Sequence, residues 1–169
     1  LYNLTKHGNR KVIFIMGKGR LLNQSIVSKK PNALFCEAAC PVQVIEIAEK
    51  QFLQLMEQSH ALTRAVLREY ERNLWRMGHQ LKNTTGNMQM ERKIAAKLWK
   101  LGRDFGVDTE DGVMIDIDLT ITLMADLVGA PRENVSRACK VLTDRGLIRY
   151  GNKRFILIDF DGLAKFYKM

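Results

Sequence analysis

The stretch that decides the fold is Leu127-Val128-Gly129-Ala130-Pro131-Arg132-Glu133-Asn134-Val135-Ser136-Arg137-Ala138-Cys139-Lys140-Val141-Leu142, followed shortly by Gly146-Leu147-Ile148-Arg149-Tyr150-Gly151-Asn152-Lys153-Arg154. Just upstream, Thr120 or Thr122 can cap a short helix that offers Leu123, Met124, Leu127 and Val128 to a core. Ala125 is small enough there for another helix to cross close by. Gly129 permits the left-handed backbone of a tight turn, and Pro131 suits the start of a new helix. That second helix, from Arg132 to Leu142, puts Val135, Ala138, Cys139 and Leu142 on its core side. Arg132, Glu133, Ser136, Arg137 and Lys140 point outward. After Gly146, residues 147–150 and 154–158 read as two strands joined by Gly151-Asn152-Lys153, a tight hairpin signal. Helix, tight turn, helix and hairpin together predict a winged helix-turn-helix.

The chemistry of such a unit is direct. A helix fits the major groove, and outward residues near its N-terminus reach base edges. Arg132, Ser136 and Arg137 can donate there, an arginine to O6 and N7 of guanine, and Glu133 can accept from N4 of cytosine. Each well-made pair is worth about 1–3 kcal/mol of discrimination. Arg149, Lys153 and Arg154 on the wing, with Thr122 and Lys140, are the candidate phosphate contacts, which give affinity and salt dependence without specificity. The competing reading is a winged helix that binds a protein or an effector without specific DNA binding.

Moving toward the N-terminus, Ile94, Ala95, Leu98, Trp99 and Leu101 mark an amphipathic helix ending near Gly102 to Gly106. Val113, Ile115, Ile117 and Leu119 alternate with Met114, Asp116 and Asp118 as a half-exposed strand. Residues 83–87, Asn-Thr-Thr-Gly-Asn, favour turns and mark a domain boundary and candidate hinge, with the break itself at 84–87. Before them, Ser59 can cap a long helix on which Leu62, Val66, Tyr70, Leu74, Met77 and Leu81 form one apolar stripe over about five turns, with Arg64, Arg68, Arg72 and Arg76 on another face. Packing on its own domain is one account of the stripe. Pairing with a second copy explains its length and narrowness better.

Residues 49–56 form a short helix with Phe52, Leu53 and Met56 on one side. The first third reads as short strands at 1–4, 11–16, 33–36 and 42–47, joined by turns such as Lys6-His7-Gly8-Asn9, and looks like part of an antiparallel sandwich. The expected domains are therefore residues 1–58, a partial sensor with its short helix, the long helix at 59–83, the hinge at 84–87 and the winged helix-turn-helix at 88–169. The chain opens at Leu1 in what reads as mid-strand, which suggests a fragment.

Composition bounds the rest. The 169 residues are 46% hydrophobic and 27% charged, so a core can form. No apolar run approaches the roughly 20 residues of a membrane helix, no secretory leader is visible, and three cysteines suit a reducing compartment, so a soluble cytoplasmic protein is expected. The net charge is +9, and residues 1–87 carry 13 basic and 6 acidic residues. Within the second half, residues 104–131 hold seven acids and no base, whereas 129–154 hold seven bases and two acids. That segregation predicts a polarised domain with one basic face suited to a polyanion, unless it is only an ordinary solvated surface. Cys36 and Cys40 supply two ligands where zinc takes four, so no metal site is expected. Cys139, Trp75 and Trp99 read as packing, and His7, His60 and His79 are scattered. No nucleophile, base and orienter cluster, so an enzyme is not expected.

With Leu127-Val128-Gly129, Arg132-Glu133-Asn134-Val135-Ser136-Arg137 and Gly146-Leu147-Ile148 in place, the chain resembles the Crp/Fnr superfamily of bacterial transcription factors over essentially its whole length. The resemblance implies an α+β protein with a partial, jelly-roll-like β-roll sensor, a long dimerisation helix and a C-terminal winged helix-turn-helix. It implies a homodimer on palindromic double-stranded DNA, with RNA polymerase as a candidate partner and no membrane. The family's base-reading Glu and Arg fall on Glu133 and Arg137. Arg132 matches the receptor-protein branch and Ser136 the Fnr branch, so a half-site like TGTGA or TTGAT is implied. Where cyclic-nucleotide-binding members carry a Gly-Glu and an Arg-Ser pair, this chain has about Asn23-Gln24 and Asn32-Ala33. No arginine meets a phosphate there and no carboxylate a ribose hydroxyl, which argues against cyclic AMP. Those four residues, with Tyr70, are the candidate effector pocket, and the effector, small molecule or redox signal, is unknown. Relative to the family, roughly the first 50 residues of the β-roll are absent.

Overall fold

The computed structural model describes all residues except 7, 24, 29, 85–87 and 169, and leaves aside the side chains of 81–84 as well. Its elements run β1 (Tyr2–Leu4), β2 (Arg10–Val12), α1 (Glu49–Gln58), α2 (His60–Thr84), α3 (Met90–Phe105), β3 (Gly106–Thr109), β4 (Gly112–Ile115), α4 (Ile121–Val128), α5 (Arg132–Asp144), β5 (Ile148–Gly151), β6 (Arg154–Leu157) and α6 (Phe160–Lys168). They make an α+β fold with a two-stranded sheet of β1 and β2 and a four-stranded antiparallel sheet in the order β3-β4-β6-β5. The chain divides into two compact units, one of Leu1–Asn3 and Phe14–Thr85, the other of Leu4–Ile13 and Gly86–Met169.

In the first unit, Tyr2 and Phe35 exchange two backbone hydrogen bonds of 3.0 and 2.9 Å and stack their rings at 5.4 Å. Phe14 is buried beneath the Arg76 guanidinium, 5.0 Å from its ring centroid. Ser59 Oγ caps α2 by accepting from Leu62 N–H at 3.2 Å, as its residue type predicts. Strands do not form at 33–36 or 42–47. Phe35 makes a single bridge, and Val42, Val44, Ile45 and Ile47 are exposed, Ile45 by 91%. A strand persists only where a neighbour takes up its N–H and C=O groups, and no described residue pairs with that segment. β2 likewise stops at Val12, not at Met16.

The stripe on α2 needs correction. Val66 is buried in its own unit and Leu62 is half-buried, on the face that also carries Glu69, Asn73 and Arg76. Glu69 takes an ion pair from Arg20 at 3.0 Å, and Arg76 donates to Ile15 C=O at 3.5 Å. The exposed apolar stripe is instead Leu67, Tyr70, Leu74 and Met77, at steps of 3, 4 and 3, centred about 60° around the helix from Val66. Spacing alone merged two adjacent faces into one. Leu81 belongs to the side chains left aside; of the expected hinge at 84–87, Thr84 is the last residue of α2 and 85–87 lie outside the described residues. Trp75 is not packed into the unit but stands half-exposed, stacked on His79 at 3.7 Å.

The second unit has the larger core. Along α3, Ile94, Ala95, Leu98, Leu101 and Gly102 are buried at helical spacing, against α5 and α6. The helix ends at Phe105 with Gly106 as its C-cap, within the expected Gly102 to Gly106, and Gly102 serves packing. A Cβ there would lie 2.5 Å from Leu157 Cδ1 and 2.9 Å from the Phe160 ring, so glycine lets β6 and α6 close onto α3. The strand β3 that follows was not legible, because Gly-Val-Asp-Thr is exposed throughout and has no hydrophobic alternation. The helix α6 was also missed. Its Leu163 is fully buried, and Phe160 and Tyr167 flank Trp99 at 5.8 and 5.7 Å. Among the described residues no helix is long and apolar enough to cross a membrane.

Candidate nucleic-acid interface

Thr120 Oγ1 caps α4 by accepting from Leu123 N–H at 3.0 Å, and the exposed Thr122 sits one residue into the first turn. Gly129 ends the helix with φ 70° and ψ 47°, the left-handed conformation expected of it, and its N–H donates to Ala125 C=O at 2.8 Å. Three residues later α5 begins, and it packs against α4, on which Ala125 is buried. On α4, burial pushes the Asp126 carboxyl above its ordinary value, against the opposing pull of Arg10, whose Nε lies 3.8 Å away.

On α5 the division of faces follows the expected pattern. Val135, Ala138, Cys139 and Leu142 are buried. Arg132, Glu133, Ser136, Arg137 and Lys140 are all exposed, within an arc of about 140° at 100° per residue. Cys139 lies on the core face, and burial pushes its thiol up to about 11, so it is un-ionised at neutral pH. Sequence reasoning missed Asn134. Its Oδ1 accepts from Arg137 Nη2 at 2.5 Å and so holds the guanidinium along the N-terminal half of the helix. The i, i+3 spacing of an amide acceptor and an arginine donor was the available signal.

The wing places its tip beside the first helix. Leu119 N–H donates to Lys153 C=O at 2.7 Å, which anchors the β5–β6 turn next to the start of α4. Lys153, Thr122 and the first-turn amides of α4 thus come to one end of the unit. Asn152 and Lys153 both adopt left-handed backbone, φ 49° and 60°, as a two-residue hairpin turn requires. Asparagine tolerates this, but lysine in that conformation costs about 1 kcal/mol. Replacing Lys153 by glycine therefore raises the melting temperature and, where Lys153 holds a DNA phosphate as the sequence reading expects, weakens duplex binding on every sequence alike and lowers the salt slope by about 0.9. Thermal unfolding and binding titrations at several salt concentrations read the two effects separately.

Arg149 and Arg154 are differently placed from Lys153. Arg149 Nη1 lies 2.8 Å from Asp111 Oδ2, with a second contact to Oδ1 at 3.5 Å. Arg154 hydrogen-bonds to Asp116 and lies 3.8 Å from Asp118. The acidic block of 104–131 and the basic block of 129–154 are thus interleaved at the sheet and not wholly separated onto two faces. Among the described residues, Arg132, Lys140 and Lys153 take part in no ion pair. Of the candidate effector residues, Asn32 Nδ2 donates to Asn23 Oδ1, and Asn32 Oδ1 accepts from Ser25 N–H at 3.2 Å. Ala33 is exposed, Gln24 lies outside the described residues, and Tyr70 stands on the exposed stripe of α2. No three potential metal ligands come together among the described residues.

Residues 92–166 match the model of the Crp-like helix-turn-helix domain. Over 159 residues the chain is 24% identical to a CRP-like cAMP-activated global transcriptional regulator of Mycobacterium tuberculosis, covering 94% of this chain and 70% of that protein. It is 26% identical over 117 residues to the global nitrogen regulator of a Nostoc species, covering 69% of this chain and 52% of the relative. Its fold is similar to that of a CRP/FNR-family transcriptional regulator from Thermus thermophilus, with a TM-score of 0.77 at 19% identity over 99% of this chain and 82% of the other. With the paired helices, the glycine turn and the anchored wing, these likenesses show a Crp-like helix-turn-helix domain at residues 92–166, in a chain similar over most of its length to CRP-like and CRP/FNR-family regulators.

Proposed function

We propose that this protein is a dimeric, sequence-specific DNA-binding transcriptional regulator that acts in the cytoplasm and catalyses no reaction. The observation that carries the reading is the outward arc of α5. Five polar or charged side chains stand clear of the core at the start of a helix whose other face is fully buried. A helix so presented enters the major groove, where Arg132, Glu133, Ser136 and Arg137 read base edges. Lys140, Lys153 and Thr122 hold phosphates, with Arg149 and Arg154 as further contacts. The exposed stripe Leu67, Tyr70, Leu74 and Met77 pairs with its copy, which places two recognition helices about 34 Å apart on a palindrome with TGTGA-like or TTGAT-like half-sites.

Control comes from a signal other than cyclic AMP. Of Asn23, Gln24, Asn32 and Ala33 at the nucleotide-type positions, Asn23 and Asn32 bond to each other, and none of the four offers an arginine to a cyclic phosphate or a carboxylate to a ribose. Effector binding beside α2 shifts the pairing of the two long helices, and the hinge at 84–87 passes that shift to the recognition helices. Transcriptional output then runs through RNA polymerase.

Fluorescence anisotropy with paired half-sites, a half-site alone and scrambled duplex, each at several salt concentrations, tests the reading. Palindrome binding stronger than scrambled by about a thousandfold or more is the expected result. Weak binding, equal on all three duplexes with and without a screened effector, leaves the unit as a protein-binding winged helix and ends the DNA reading.

A further inference from the structure

We propose that Asp111, Asp116 and Asp118 are intramolecular stand-ins for DNA phosphates, which hold the wing arginines Arg149 and Arg154 and damp the protein's sequence-independent affinity. This rests on the DNA-binding reading above and adds to it a restraint built into the same domain.

The register of the sheet creates the arrangement. Arg149 pairs with Ile156 across β5–β6, and Ile156 with Met114 across β6–β4, so Arg149 lies on the face of the sheet opposite Ile148, Phe155 and Leu157. Arg154 is on that same face, two residues before Ile156. From β5, Arg149 reaches over β6 to Asp111 in the β3–β4 turn and meets both carboxylate oxygens, at 2.8 and 3.5 Å. At the other end, Arg154 meets Asp116 and Asp118, which follow β4. A guanidinium fork fits a carboxylate and a phosphate with the same two-pronged geometry, so each aspartate occupies the donors a phosphate would use.

The pairs are exposed enough to exchange. Side-chain exposure is 54% for both Arg149 and Asp111, and it is 36%, 54% and 57% for Arg154, Asp116 and Asp118. Water screens ion pairs this open, so they are weak, yet an arriving phosphate must displace a like charge to reach either arginine. Counterion release on binding therefore comes mainly from Lys140 and Lys153, and a binding mode that draws the wing close to the duplex adds Arg149 and Arg154.

The test compares this chain with Asp111→Asn/Asp116→Asn and with Asp108→Asn/Glu110→Gln, which removes the same two charges from the β3–β4 hairpin without touching either arginine pair. Scrambled and palindromic duplexes are titrated at several salt concentrations. The first variant is expected to bind both duplexes roughly tenfold more tightly at low salt and to steepen the salt slope by about 1–2, beyond the change in the second variant. Adding Arg149→Gln/Arg154→Gln removes that excess. Thermal unfolding checks that each variant folds. Gains equal in the two acid variants, an excess that survives loss of the arginines, or a folded first variant that binds more weakly than the parent overturns the proposal while leaving DNA binding intact. A parent that binds no duplex overturns the DNA reading, and this inference with it.

Discussion

Glu133→Ala and Arg137→Ala each reduce the ratio of specific to scrambled affinity by about 1–3 kcal/mol, roughly five- to 150-fold, while leaving binding to scrambled duplex within a few-fold of the parent. The expectation follows from where these side chains stand. Both are exposed on the first half of α5, and neither takes part in the core that Val135, Ala138, Cys139 and Leu142 build behind them. Truncation therefore leaves the fold in place and removes a base contact. Asn134→Ala produces a smaller loss in the same direction, because its side chain holds the Arg137 guanidinium at 2.5 Å and its removal frees that group to sample other rotamers. Binding to a set of half-sites altered one base pair at a time measures this. Loss of specificity from Lys153→Gly, with Glu133→Ala and Arg137→Ala unchanged, would mean that the wing reads bases and that α5 docks elsewhere.

Leu74→Asp converts the protein to a monomer and lowers its affinity for a palindrome toward that for one half-site, a fall of about 10²–10⁴-fold. Leu74 is 72% exposed, in line with Leu67, Tyr70 and Met77, and burying such a side chain against a copy of itself is worth about 1.5–3 kcal/mol. In the proposed dimer, an aspartate there faces its own charge across the two-fold axis. Val66→Ala is the matched comparison. Val66 is only 4% exposed within its own unit, so shortening it lowers the melting temperature and leaves the oligomeric state alone. Light scattering after size exclusion separates the two. A Leu74→Asp variant that remains dimeric removes α2 from the interface.

The most legible part of the chain was the part with the strongest local grammar. A cap at Thr120 or Thr122, the turn at Gly129 and the outward set on α5 were readable because a cap, a left-handed turn and a helical period of 3.6 are decided by residues a few positions apart, and the structure puts the cap at Thr120. β3 and α6 were not readable in the same way. The exposed Gly106–Thr109 segment is a strand only because β4 pairs with it, and α6 owes its place to aromatic contacts with Trp99 more than sixty residues earlier. The segment at 42–47 shows the converse, since its β-branched residues have strand character and no described neighbour to pair with.

By itself, then, the sequence determined helices α1 to α5, the two faces of α5 and the turn between α4 and α5, all of which rest on short-range periodicity. It did not determine which of two adjacent stripes on α2 is buried. Leu62, Val66, Tyr70 and Leu74 fit one periodic pattern, and only the packing of Val66 within the unit, with the Arg20–Glu69 and Arg76–Phe14 contacts on that side, separates it from the exposed Leu67, Tyr70, Leu74 and Met77. Nor could it show that the acidic and basic blocks meet. Arg149 and Asp111, like Arg154 and Asp116, are 38 residues apart in the chain, and they are neighbours because the strand order β3-β4-β6-β5 and its register bring them onto one face. Charge counts add along the chain, whereas electrostatic pairing depends on distance in space, which tertiary structure decides.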